Sequence, residues 1–306
     1  MVGVSLIALM GAAAVAVDLG NLWSSRRRIV VASDAAALAA AADHAVGRDG
    51  CEATAGDFVG RNDDSAAMTG CTATAVDATA GYVTVRAETP VDYAFAPVIG
   101  VADRTVGAAT SAGWGIPSAA RGLRPFGLCE DDPAFTAWAA SPRGVSAVAR
   151  VPYTNQPTDC GGAPGNWGII DLDNTGSVSN ADTKEWVVRG YPGSVRPGWV
   201  GGDPGAYSNS IDPELGSVRG SRFPIPVFDA VAAAGQNAKF RIVGFVNIEL
   251  VGWRTTGPEQ GRYLDVRFVE MVAAGECCDP GGRDFGLRVV HICEVDPGDG
   301  PSRCTS

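Results

Sequence analysis

The chain is short of the residues that most catalytic and nucleic-acid chemistries need. It has only two histidines in 306 residues, His44 and His291, and neither lies in a recognisable serine, histidine and acid pattern. It has no C-x-x-C pair with histidine nearby, which argues against zinc. It has no glycine-rich loop of Walker or Rossmann spacing. Positive charge is also scarce, 24 basic against 34 acidic residues and a net charge of -10, so nucleic acid is not an expected partner. Lysine is nearly missing, a skew that follows base composition and carries no functional reading. The acidic run Glu130-Asp131-Asp132 reads as a solvated loop rather than a catalytic dyad. No reaction, no small-molecule substrate and no certain cofactor are expected.

Charge is missing from one place in particular. Residues 1–17 carry none, Asp18 and Asn21 then interrupt, and Trp23 closes the apolar part. An apolar helix of that length covers roughly 30 Å, the thickness of a bilayer core. Arg26, Arg27 and Arg28 follow where headgroup phosphates would sit. The alanine-rich stretch 32–45 continues the helical pattern without glycine or proline until Gly47, so one helix over 1–46 is the simplest reading. A cleaved signal peptide would need basic residues before the apolar run and a break after it, and the sequence shows neither. The three arginines lie on the same side as the cysteines, against the positive-inside rule; an internal start, with a basic leader upstream, would account for that.

The eight cysteines, at 51, 71, 129, 160, 277, 278, 293 and 304, all follow the apolar segment. An even count beyond a membrane segment predicts disulfides in an oxidising compartment. Proximity suggests Cys51–Cys71 and Cys129–Cys160. Cys277 and Cys278 are expected to reach different partners among Cys293 and Cys304, because adjacent cysteines rarely bond to each other.

The string AVAVDLGNLWSSRRRIVVASDAAALAAA resembles the N-terminal signature of the TadE/TadG-like proteins of the Flp (tight adherence) pilus system. The matching positions are Ala16, Val17, Asp18 and Gly20, then Ala32, Asp34, Ala35, Ala36, Ala37, Leu38 and Ala39. Further on, Phe95, Ala96 and Gly100 resemble that family's Phe-Ala-x-x-x-Gly turn, and RPFGLC at 124–129 resembles its longer members. The glutamate typical of pilins at the fifth position is replaced by Ser5. The resemblance implies a minor pilin or assembly component in the cytoplasmic membrane, single-pass, with the bulk of the chain exported. Its partners would be other pilus or pilus-assembly subunits, reached through the N-terminal helix. Asp18, in an apolar helix, and Arg26–Arg28 are the candidate assembly residues. The small side chains of 32–45 would let a neighbouring helix approach closely, or cover the chain's own sheet.

Glycine and proline are abundant (40 and 19 residues), which favours short strands and turns. Residues 47–74 read as a loop or short helix, and Tyr82–Ala87 alternates at the strand period. The predicted architecture is α+β: a long membrane-spanning helix (1–46), a small pilin-like antiparallel module (47–115), and a β-rich, disulfide-stapled domain (116–306). Strands are expected at Phe240–Leu250, Tyr263–Met271 and Leu287–Cys293, with 190–222 as a long surface loop.

One local motif suggests a metal. Asp171, Asp173, Thr175, Ser177, Ser179 and Asp182 fall at positions one, three, five, seven, nine and twelve of an EF-hand loop, with Gly176 at six. The residues resemble dockerin calcium loops. A membrane-anchored, calcium-dependent binding module is therefore the alternative function, weighed against an Asp/Asn/Gly turn in which Asp182 caps a helix.

Overall fold

The computed structural model describes residues 2–141, 144–152, 167–176, 179–203, 211–232, 238–258, 261–293 and 304. Side chains are described from Gly11 on, Ile99, Trp167 and Asp203 excepted. The chain divides into two compact units, Met1–Trp114 with Val290–Thr305, and Gly115–Val289.

The first unit is built on α1 (Val2–Ala45), a helix of 44 residues or about 66 Å. It runs unbroken through Asp18. The first proline of the chain is Pro90, and alanine dominates the helix's second half, so nothing in the sequence interrupts the ladder of hydrogen bonds. The helix stops at Gly47, which takes a left-handed φ of 68°. Next, α2 (Cys51–Asn62) turns back along α1, held by a hydrogen bond from the Thr54 hydroxyl to Asp43 (2.8 Å). The Cys51–Cys71 disulfide fastens its start to β1 (Ala67–Ala75).

β1 pairs antiparallel with β2 (Gly81–Val91), and β2 with β3 (Arg104–Gly115). Alternation along β2 puts Val83, Val85, Ala87 and Val91 on the buried face, against α1. Ala32, Ala36, Ala37, Ala40 and Ala41 are fully buried. Their methyl groups let α1 lie close to α2 and to β2, which identifies one surface that the alanine stripe between 32 and 45 covers. It is the chain's own sheet and second helix.

The second unit contains β4 (Pro117–Ala120), β5 (Phe126–Cys129), α3 (Pro133–Ala139), β6 (Ala149–Pro152) and β7 (Trp167–Ile170). These are followed by α4 (Asn180–Arg189), β8 (Gly198–Asp203), α5 (Asp212–Ser217), β9 (Arg222–Ala232) and β10 (Lys239–Arg254). The last strands are β11 (Tyr263–Val269), β12 (Met271–Val272), β13 (Gly275–Cys277) and β14 (Leu287–Ile292). The strands β10, β8, β7, β5 and β9 close into a ring, because β9 pairs with both β5 and β10; β11 and β6 extend it. Closure removes free edges from those five strands. Phe126, Phe135, Phe268, Ile248 and Leu250 anchor one buried cluster, and Phe228, Phe240, Ile170 and Leu123 another.

Three features differ from the sequence-based expectation. Part of 190–222 is regular structure, since β8, α5 and the start of β9 fall there. Val290–Thr305 does not stay with the preceding domain: the end of β14 joins β3, and the Cys293 amide donates to the Ser111 carbonyl (2.8 Å). The third correction concerns the cysteines. Cys293 is bonded to Cys304, both in the first unit, which leaves Cys277 and Cys278, at the end of β13 in the second, joined to each other. Cys129 is disulfide-bonded, and Cys160, its expected partner, lies outside the described residues.

The alanine packing makes a sharp prediction. Ala40→Leu should overfill the α1 interface and cost the first unit about 1–3 kcal/mol. Ala13→Leu, on the exposed part of α1, should change stability by less than about 0.5 kcal/mol. Thermal unfolding of the two variants checks both.

Candidate functional site

Asp18 is the buried carboxylate of α1, 7 % exposed in a stretch whose other apolar side chains face outward. Its partner is the turn between β2 and β3. Oδ1 accepts from the amides of Ala94 (2.7 Å) and Phe95 (3.2 Å), and Oδ2 from Phe95 (3.1 Å) and Ala96 (2.7 Å). Those amides open a single-turn 3-10 helix, Ala96–Ile99, whose first N–H groups would otherwise have no acceptor. Carboxylate-to-amide bonds are charge-assisted, and the negative end faces the positive end of the turn's dipoles. One turn of α1 further on, the Asn21 amide donates to the Asp92 carbonyl (2.8 Å). The Tyr93 amide donates to Asp103 (3.0 Å). Gly100 closes the turn with a left-handed φ of 83°, a conformation that residues with a Cβ rarely adopt.

A second acidic contact lies farther along the helix. Asp34 accepts from the Thr110 hydroxyl of β3 (2.7 Å), which lies 2.8 Å from the buried Ser33 hydroxyl. Asp18 and Asp34 thus fasten the same helix to the turn of the β2–β3 hairpin and to the middle of β3. The three arginines follow on the outer surface. Arg27 stacks over Trp23 at 5.6 Å, Arg28 bonds Ser24 and Ser25 and approaches Asp63 at 4.0 Å, and Arg26 reaches the Gly107 carbonyl at 3.4 Å.

On either side of Asp18 the helix carries exposed apolar side chains. Val15, Val17, Leu19 and Trp23 are each more than half exposed. Between α1 and the turn runs an apolar groove of about 310 Å³, lined by Gly11, Val15 and Leu19 on one side and Tyr93, Phe95 and Ala96 on the other. From Gly11 on, no described helix is long and apolar enough to cross a membrane. In the second unit, two cavities of about 10 Å³ each hold no more than a water molecule.

In the candidate calcium loop the described side chains of Asp171, Asp173 and Asn174 accept from nearby backbone amides. The Gly176 amide donates to Asp171 Oδ2 (2.8 Å), the Thr175 amide and hydroxyl to Asp173 (3.1 and 2.9 Å), and the Gly201 amide to Asn174 (3.1 Å). Asp182 lies at the start of α4, where its amide donates to the capping Ser179 hydroxyl (3.0 Å), which in turn bonds its carboxylate. Ser177 lies outside the described residues. Among the described residues, Asp171, Asp173 and Asp182 do not converge into one cluster of carboxylates. Burial, then the shared hydrogen bond with Asp173, pushes the Asp171 carboxyl up to about 6, and the same bond holds Asp173 down.

Two predictions follow from this geometry. Asp18→Ala strips three amides of their acceptor and should destabilise the first unit by about 3 kcal/mol, with Asp18→Asn costing less. Differential scanning calorimetry in detergent reads both. Asp171 is raised in the folded state, so its contribution is fully present below about pH 4 and is lost as pH rises through about 6. Asp171→Asn mimics the protonated form. It should stabilise the second unit at neutral pH by about 1 kcal/mol, discounted for solvent screening. In acid it should change nothing, a difference that thermal melts at two pH values resolve.

Comparison with known proteins bears on the first unit alone. Residues 1–43 match the family model of the putative Flp pilus-assembly TadE/G-like proteins. No curated protein and no solved structure matches the chain significantly. The matched residues contain both Asp18 and Asp34, the two carboxylates that hold the helix to its hairpin. The chain therefore opens with a segment similar to the putative Flp pilus-assembly TadE/G-like proteins.

Proposed function

We propose that this protein is a membrane-anchored minor pilin or assembly component of a tight-adherence pilus. The observation that carries the proposal is the form of α1. It is continuous from Val2 to Ala45, packed into a folded module along its second half, with Val15, Val17, Leu19 and Trp23 exposed around Asp18. Such a helix gains nothing from water along its first half, since apolar surface there favours lipid or another helix. The uncharged run 1–17 is long enough to enter a bilayer, and Trp23 with Arg26–Arg28 stands where an interface is expected. In this reading the pilin-like module and the β-rich unit are both exported, which agrees with the disulfides of the first and the bonded Cys129, Cys277 and Cys278 of the second.

Association with other pilus subunits would use residues 2–23, because the alanine stripe of 32–45 is already occupied by α2 and β2. We assign the protein no reaction.

Fractionation tests the anchor. The full chain should remain with membranes after a carbonate wash, and a chain starting at Asp18 should be released. Recovery of the full chain in the soluble fraction would overturn the proposal.

A further inference from the structure

The turn between β2 and β3 carries apolar side chains that the first unit does not bury. Val98 is 84 % exposed and Phe95 47 %, with Val101 exposed beside them. Pro97 and Val98 follow Ala96, which faces the groove along α1 at Gly11, Val15 and Leu19. This level of the helix lies within and just beyond the uncharged run of residues 1–17. Asp18, the one charge there, is 7 % exposed and turned to the amides of the turn.

The backbone of the turn is the decisive feature. An irregular loop cannot enter hydrocarbon while its polar groups lack partners, since each one costs several kcal/mol. Here the amide of Tyr93 goes to Asp103, and those of Ala94, Phe95 and Ala96 go to Asp18. Position 97 is proline and has no N–H to satisfy. The amide of Val98 donates to Phe95 O (3.0 Å), that of Gly100 to Pro97 O (3.1 Å) and that of Val101 to Ala96 O (3.0 Å). A turn with seven of its eight N–H groups bonded within the unit and with outward apolar side chains has the chemistry of a membrane-inserting loop.

From this we infer that residues 93–101 form a second membrane contact, entering the headgroup–acyl boundary of a phospholipid bilayer beside α1. The inference rests on the anchoring proposed above and extends it. Asp18 then has a defined task. By taking up the turn's amides it makes the loop compatible with lipid and fixes the depth at which the folded module stops. Arg26, Arg27 and Arg28, two to three helical turns farther along α1, lie on the water side, where anionic phosphates complement them.

Photo-crosslinking of the full chain, reconstituted in phosphatidylcholine/phosphatidylglycerol vesicles, tests the inference. The probe p-benzoylphenylalanine would be placed singly at Val98, at Val15 on α1, and at Val76, an exposed position beyond the end of β1. All three side chains are more than half exposed, so the probe leaves the core intact. The expected result is a mass increase of one phospholipid at positions 98 and 15 and none at 76. Adducts at 15 alone would overturn the inference and leave the anchor standing. Adducts at none of the positions would overturn both. Crosslinks from 98 to a second copy of the chain would also overturn it, in favour of a protein-covered turn.

Discussion

The first unit depends on one carboxylate held against three backbone amides. Asp18 stands on a helix otherwise made for apolar surroundings, and Ala94, Phe95 and Ala96 point their N–H groups at it. Without that contact the helix would carry a lone charge in an apolar stretch, and the turn would carry unsatisfied donors. Each group relieves the other's cost. A buried acid is usually expensive because it leaves water; here four short contacts replace the lost hydration. The consequence is geometric, since the hairpin's turn is fixed at one level of the rod.

Farther along, the packing changes character. From Ala32 on, small side chains bring α1 within close reach of α2 and β2, and Asp34 repeats the carboxylate contact at Thr110. The helix is therefore clamped at two points, with methyl-to-methyl packing beyond the second. Around the first clamp the apolar side chains of Val15, Val17, Leu19 and Trp23 stay exposed. The second unit stands on different physics: a closed ring of strands around phenylalanine clusters. Its two prolines in β9 fit because the Pro224 carbonyl accepts from the Arg124 amide, so that edge faces away from β10.

Much of the helix was legible in the sequence. Unbroken helix formers, the absence of proline and the charge-free run lead directly to one long element, and strand alternation identifies the buried face of β2. The identity of Asp18's partner was not legible. Phe95, Ala96 and Gly100 stand out as a turn, but nothing in a linear pattern says that the turn's amides meet a side chain seventy-odd positions earlier. The alanine stripe was ambiguous for a related reason: small residues permit close approach without naming the neighbour. Proximity gave the Cys51–Cys71 bridge, but the expectation for Cys277 and Cys278 failed because proximity in sequence does not report that the chain returns to its first unit after Val290. In the 171–182 loop, spacing alone supports both a calcium ligand set and a capped turn. The capping bonds between Ser179 and Asp182 are a contact that spacing alone does not disclose.

Amide hydrogen exchange addresses the central contact most directly. In the intact protein the amides of Ala94, Phe95 and Ala96 should exchange slowly although their turn is exposed. In Asp18→Asn they should exchange far faster, while those of β2 stay protected. Fast exchange of the three amides in the unaltered protein, or slow exchange that survives the substitution, would contradict the account.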